Sequence, residues 1–150
     1  MMRKEICCPR ETDMLDLGAR LVKCLTPPAF VALHGDLGAG KTALVRGMGE
    51  ALGVDTVTSP TFTIVQEYDT KPKLYHFDAY RLSDADELYA IGFDDYLREN
   101  AVLVMEWAEL VEEALPQERL ELTILGSGVE ERTVFAEAKG AVYERILEQL

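Results

Sequence analysis

Cysteine is scarce in this chain and poorly placed for structural work. Cys7, Cys8 and Cys24 form an odd set without metal-ligand spacing, and only two histidines could join them. A disulfide framework and a Cys/His zinc site are both excluded on that count. Neighbouring strand residues point to opposite faces, so Cys7 and Cys8 read as reduced, partly buried thiols rather than ligands of one ion. Long apolar runs are also missing: none approaches the ~20 residues of a membrane span. The segment before Pro9 has no secretory apolar region, so the expected home is the cytoplasm, with no membrane partner. Positive charge is in short supply, 15 basic residues against 27 acidic, for a net charge of −12. Such a surface repels a phosphate backbone, which argues against a DNA partner and against direct, tight binding of nucleic acid. It favours solubility or docking to a basic protein. Repeats, linkers and low-complexity tracts are absent, and 150 residues suffice for one domain, 1–150.

What is present is a phosphate-binding loop. Gly35-Asp36-Leu37-Gly38-Ala39-Gly40-Lys41-Thr42 fits G-x-x-x-x-G-K-[ST] without a mismatch. Phe30 to His34 reads as a buried strand before it. Leu44, Val45, Met48, Ala51 and Leu52 recur at helical spacing after it, and Gly53 follows where a helix-ending glycine belongs. Glycines let such a loop turn successive N–H groups inward, and the helix start adds its own unpaired N–H groups. Lys41 can then meet the β- and γ-phosphates of a nucleotide, and the Thr42 hydroxyl can ligate Mg²⁺. Both side chains are expected to serve ligand contacts rather than the core. No Asn-Lys-x-Asp guanine signature occurs, so ATP is the expected nucleotide.

Two carboxylates at strand ends complete the pattern. Lys73 to Phe77 reads as a strand ending in Asp78, and Ala101 to Met105, the most uniformly apolar run, as a central parallel strand ending in Glu106. Acids in these places bind Mg²⁺ or orient and deprotonate a water. For Glu106 both roles stand open, and Trp107 beside it is either a core anchor or a movable cover. His76, alternating with Asp78, reads as a packed strand residue. The spacing predicts a first helix from Thr12 onward, where Glu11 and Thr12 are either adenine-side contacts or helix caps. Phe62 to Tyr68, with Phe62, Ile64 and Gln66 on one side, predicts the first arm of a β-hairpin closed by Asp69 to Pro72. Thr61, in Ser59-Pro60-Thr61, is either a γ-phosphate sensor or part of a turn that opens this strand. Ser83 begins a capping-box pattern for an acidic helix carrying Leu88 and Ile91. The segments from Glu121 and Arg132 read as paired strands, and a last helix shows Val142, Ile146 and Leu150 on one face. The fold class is α/β, a three-layer P-loop NTPase fold. Its central sheet is mixed but mainly parallel, includes the hairpin and carries helices on both faces.

Taken in order, the loop, Ser59-Pro60-Thr61-Phe62-Thr63, Tyr75-His76-Phe77-Asp78-Ala79-Tyr80-Arg81-Leu82 and Glu106-Trp107 resemble the TsaE (YjeE) family of bacterial P-loop ATPases. The resemblance implies weak intrinsic, Mg²⁺-dependent ATPase activity that rises within a complex. The implied partners are the TsaD and TsaB proteins, in the threonylcarbamoyl modification of adenosine in tRNA, with tRNA contacted only through the complex. By position it implies Lys41 on phosphates, Thr42 and Glu106 on Mg²⁺, Asp78 and Thr61 in the catalytic or switch region, and Trp107 beside them. Two other readings compete: a small-molecule or nucleotide kinase, and a nucleotide-dependent binding switch without significant catalysis. A kinase lid usually brings several arginines, whereas here Arg46 and Arg81 are the few near the motif.

Overall fold

The computed structural model describes residues 2–35, 40–60, 63–126 and 131–150. Seven strands among them form one sheet: β1 (Met2–Cys8), β2 (Ala29–His34), β3 (Val65–Tyr68), β4 (Lys73–Asp78), β5 (Ala101–Glu106), β6 (Arg119–Leu125) and β7 (Arg132–Lys139). Their spatial order is β1-β7-β6-β2-β5-β4-β3. β2 pairs in parallel with β5 and β6, and β5 with β4. The other three pairings, β1 with β7, β6 with β7 and β3 with β4, are antiparallel. Five strands therefore point one way and two the other, the mixed sheet expected of a hairpin-bearing nucleotide fold.

β2 and β5 are apolar on both faces because both faces are covered. On one side Val31, Leu33, Leu74, Val102 and Val104 pack with α1 (Glu11–Cys24), α2 (Lys41–Ala51) and α5 (Ala141–Gln149). On the other, Phe30, Ala32, Phe77, Leu103 and Met105 pack with α3 (Ala85–Ala90), α4 (Phe93–Leu97) and a 3₁₀ segment, Ala108–Ala114. Phe93 is the hub of that second layer, edge-on to Phe30 and Phe77 at centroid distances of 6.1 and 5.4 Å.

α1 and α2 touch backbone to backbone. A Cβ built on Gly18 would lie 2.1 Å from the Leu44 carbonyl oxygen, and one on Gly47 would lie 2.1 Å from that of Leu15. Two glycines, one on each helix, thus set how closely α2 is held. No helix among the described residues is long and apolar enough to cross a membrane.

Several local expectations are corrected. Ile64 is not in the hairpin strand: it has φ of 71°, its N–H donates to the Pro60 carbonyl, and β3 starts at Val65. The acidic helix is two short ones, α3 and α4, separated by Gly92 in a left-handed conformation, and Ile91 between them is exposed. Its cap is Asp84, whose Oδ1 accepts from Glu87 N at 3.2 Å, rather than Ser83. In α5, Val142 faces solvent and Tyr143, Ile146 and Leu147 face the core. The reason is a long-range bond: the Tyr143 hydroxyl accepts from the Phe30 N–H at 2.9 Å, which fixes the rotation of the helix.

Candidate functional site

In a parallel sheet the crevice for a ligand opens at the C-terminal ends of the strands. β2 ends there in His34 followed by Gly35, β4 in Asp78 and β5 in Glu106. Asp78 and Glu106 are register partners on adjacent strands, and the Ala79 N–H donates to the Glu106 carbonyl at 3.1 Å. Both acids are 4% exposed. The Asp78 side chain accepts from the Tyr80 N–H at 2.9 Å, and its backbone N–H donates to the Ile64 carbonyl at 2.8 Å.

α2 begins beside them. Gly40, with φ of 107°, takes a left-handed conformation that a side chain would strain, and Lys41 and Thr42 are the first helical residues. Thr42 is exposed. Lys41 is only 5% exposed, which corrects the expectation that it stands apart from packed structure. Its Nζ donates to the Gly35 carbonyl at 2.6 Å and lies 3.6 Å from the centre of the Trp107 ring. Trp107 is half-buried, packs at a tilt against Tyr80 with ring centroids 5.0 Å apart, and has φ of 58°. It and Ile64 are the non-glycine residues with positive φ among those described, and each adjoins a site carboxylate. Left-handed backbone costs roughly 1–2 kcal/mol per residue. Strain clustered in this way is a mark of functional positions.

Behind the loop strand, His34 Nδ1 is 2.7 Å from Glu109 Oε2, on the 3₁₀ segment that follows Trp107, and Nε2 is 3.4 Å from Glu121 Oε1. The Glu109 hydrogen bond raises the His34 pKa above its usual 6.5, against the opposing effect of burial. Burial alone would raise Glu109, but the His34 bond, a backbone bond and the nearby charges of His34 and Lys41 bring it below 4.5. The bridge thus ties the strand carrying the loop to the segment carrying Trp107.

The structure brings Gly35, Gly40, Lys41, Asp78, Glu106 and Trp107 together. Asp36, Leu37, Gly38, Ala39 and Thr61 lie outside the described residues. Glu11 and Thr12 are exposed in the first turn of α1, and the Glu11 carboxylate is paired with Arg46 of α2. Neither caps the helix: the N-cap is Arg10, whose N–H donates to the Asp13 carboxylate at 2.9 Å. Among the described residues no cluster of three or more His, Cys, Asp or Glu side chains could hold a metal ion. Two buried carboxylates and the Thr42 hydroxyl instead fit a cation that takes its remaining oxygens from water and phosphate, as Mg²⁺ does. The 220 Å³ cavity lined by Pro28, Phe30, Leu103, Pro116 and Tyr143 lies at the opposite end of β2 and contains none of these groups.

Sequence reading passed over three contributors. His76, read as packing alone, is 0% exposed and also meets Glu106 Oε2 at 2.6 Å through Nε2. Its two-residue offset from Asp78 on one strand face was the available signal. Tyr80 under Trp107, and the His34–Glu109 bridge, depend on contacts between distant segments.

Comparison with known proteins places the chain in a family. The family described as "Threonylcarbamoyl adenosine biosynthesis protein TsaE" matches residues 8–134. A Bacillus subtilis protein named tRNA threonylcarbamoyladenosine biosynthesis protein TsaE is 44% identical over 145 residues, covering 95% of this chain and 89% of its own. A protein of the same name from Streptomyces coelicolor is 47% identical over 116 residues, covering 74% and 78%. The crystal structure of Bacillus subtilis YdiB superposes with a TM-score of 0.86 at 34% identity, over 99% of this chain and 93% of that one.

Proposed function

The chain belongs to the TsaE family of tRNA threonylcarbamoyladenosine biosynthesis, and we propose that within it this protein is a Mg²⁺-dependent ATPase acting with the TsaD and TsaB proteins. One observation carries the reading. Lys41, at the N-terminus of α2, shares a site with two carboxylates, Asp78 and Glu106, brought side by side at the ends of adjacent parallel strands.

Each residue has a stated task. The first N–H groups of α2 and the Lys41 ammonium hold the β- and γ-phosphates, with Lys41 exchanging the Gly35 carbonyl for phosphate oxygen. Thr42 and Glu106 would hold Mg²⁺, which would supply charge neutralisation at those oxygens. Asp78, nearly excluded from solvent beside Glu106, orients the attacking water and accepts its proton. The Trp107 ring, over Lys41, limits entry of other water. With an acidic surface of net charge −12, the chain meets tRNA through its partners.

The test is ATP turnover by the purified chain alone, then with the TsaD–TsaB pair and tRNA. Slow turnover that rises with the partners is expected. Lys41→Ala and Thr42→Ala should abolish most of it. Wild-type rates in either variant, or transfer of phosphate to a small acceptor, would refute the assignment.

A further inference from the structure

His76 has no task in the reaction as described, yet it is the most fully enclosed polar side chain next to it. It lies on β4 opposite Val104 of β5, on the face covered by α2, and is 0% exposed. Its Nε2 sits 2.6 Å from Glu106 Oε2, while Nδ1 has no hydrogen-bond partner among the described residues. That asymmetry selects a state of the ring. With Nε2–H donating to the carboxylate, a neutral imidazole leaves only a lone pair unmatched at Nδ1. A doubly protonated ring would instead bury an unsatisfied donor.

Glu106 needs such a partner. It is the last residue of β5, and Trp107 after it turns to a left-handed backbone, so the ladder does not continue past it. A glutamate side chain has three rotatable torsions, and a carboxylate that acts on water or metal must not swing among them. The ring restrains Oε2 from the neighbouring strand and leaves Oε1 with a fixed direction.

We propose that His76 is the positioning residue of this site: it donates through Nε2 to Glu106 and sets where that carboxylate acts, without itself touching nucleotide. The proposal rests on the nucleotide-hydrolysis reading above. Loss of a comparable outer partner typically costs roughly 10–100-fold in metal affinity or activity.

The experiment compares wild type, His76→Leu and His76→Gln as full-length chains, with ATP turnover measured beside nucleotide affinity followed by Trp107 emission. His76→Leu should lower turnover by roughly 10–100-fold with nucleotide affinity largely kept. His76→Gln, which can place an amide N–H near the lost Nε2–H, should recover most of the loss. A folded His76→Leu chain with wild-type turnover overturns the proposal, and so do equal losses in the two variants. A readout independent of activity is the ring ¹⁵N spectrum of the wild type, read beside Glu106→Gln. The neutral Nε2–H tautomer, perturbed by that substitution, is expected. An Nδ1–H tautomer overturns the contact whether or not the leucine variant folds. A wild-type chain that neither binds nor turns over ATP refutes the hydrolysis reading itself, a result distinct from an active wild type indifferent to position 76.

Discussion

Gly47→Ala sets two known effects against each other. Alanine is the better helix former by about 1 kcal/mol, so on propensity alone the change should stabilise α2. The structure opposes it: the new Cβ would stand 2.1 Å from the Leu15 carbonyl oxygen and 2.8 Å from Leu15 Cα. Carbon–oxygen contacts settle near roughly 3.3–3.6 Å, so α1 and α2 would have to part by about 1 Å. The obstacle is backbone, which cannot rotate away, and a gap of that size forfeits roughly a quarter to a half of each interfacial attraction. Overpacking of this kind costs about 1–3 kcal/mol, and a backbone clash belongs at the upper end. The net expectation is a loss of about 2 kcal/mol, or roughly 4–8 °C in Tm for a chain of this length. Urea denaturation followed by circular dichroism checks it, reading the midpoint at unchanged slope. Gly49→Ala is the control. Its Cβ would meet Val57 Cγ2 at 2.5 Å, a side-chain end that can move, so its loss should be smaller. A Gly47→Ala protein as stable as wild type, or less affected than Gly49→Ala, would refute the reasoning. Lys41 rides on the first turn of the displaced helix, so nucleotide affinity should fall along with stability.

Three further outcomes follow from the same geometry. The stabilisation from the raised His34 pKa is complete below pH 6.5 and fades as pH rises through the folded value, whereas that from the lowered Glu109 pKa is complete above pH 4.5 and fades as pH falls. The stability gap between wild type and His34→Ala should therefore be widest between pH 4.5 and 6.5 and narrow as pH rises above 6.5; a gap that widens with rising pH in denaturation series contradicts the bridge. Tyr143→Phe strands the Phe30 N–H and should cost about 1–3 kcal/mol, visible as a lower Tm; an unchanged Tm shows that the N–H finds another acceptor. Trp107 is the sole tryptophan, so its emission reports directly on the ammonium above it. Lys41→Met should shift that emission and remove its response to added ATP, and identical wild-type and variant spectra would break the stacking argument.

The strand before the glycine motif and the helix after it were legible in sequence because each signal is local. Apolar residues run unbroken from Phe30 to Leu33, and helical spacing resumes right after Lys41. β5 was legible for the same reason, since a strand covered on both faces is apolar throughout. Strand-end acids could be read wherever such a run stopped, at Asp78 and Glu106. What escaped depends on partners distant in the chain. The α5 sequence offers two apolar stripes, and only the bond from Tyr143 to Phe30 decides between them. The alternation that placed Ile64 in a strand is real, but its backbone turns to put the carbonyl on the Asp78 N–H. His76 and Glu106 are 30 positions apart, and only the β4–β5 register brings them together.

The sheet order also bears on how the chain reaches this state. β1 precedes the other described strands in the chain, and its pairing partner is β7, with Met2 opposite Ala138. At synthesis rates of roughly 5–20 residues per second, β1 emerges on the order of ten seconds before its partner exists. β2 waits similarly for β5 and β6. The contact between α1 and α2 is far more local and can form early, leaving α2 seated before the sheet beneath it is complete. Closure at the β1–β7 edge then comes last. A ribosome stalled before Arg132 is released would hold a chain whose loop helix is in place while two strands still lack their neighbours.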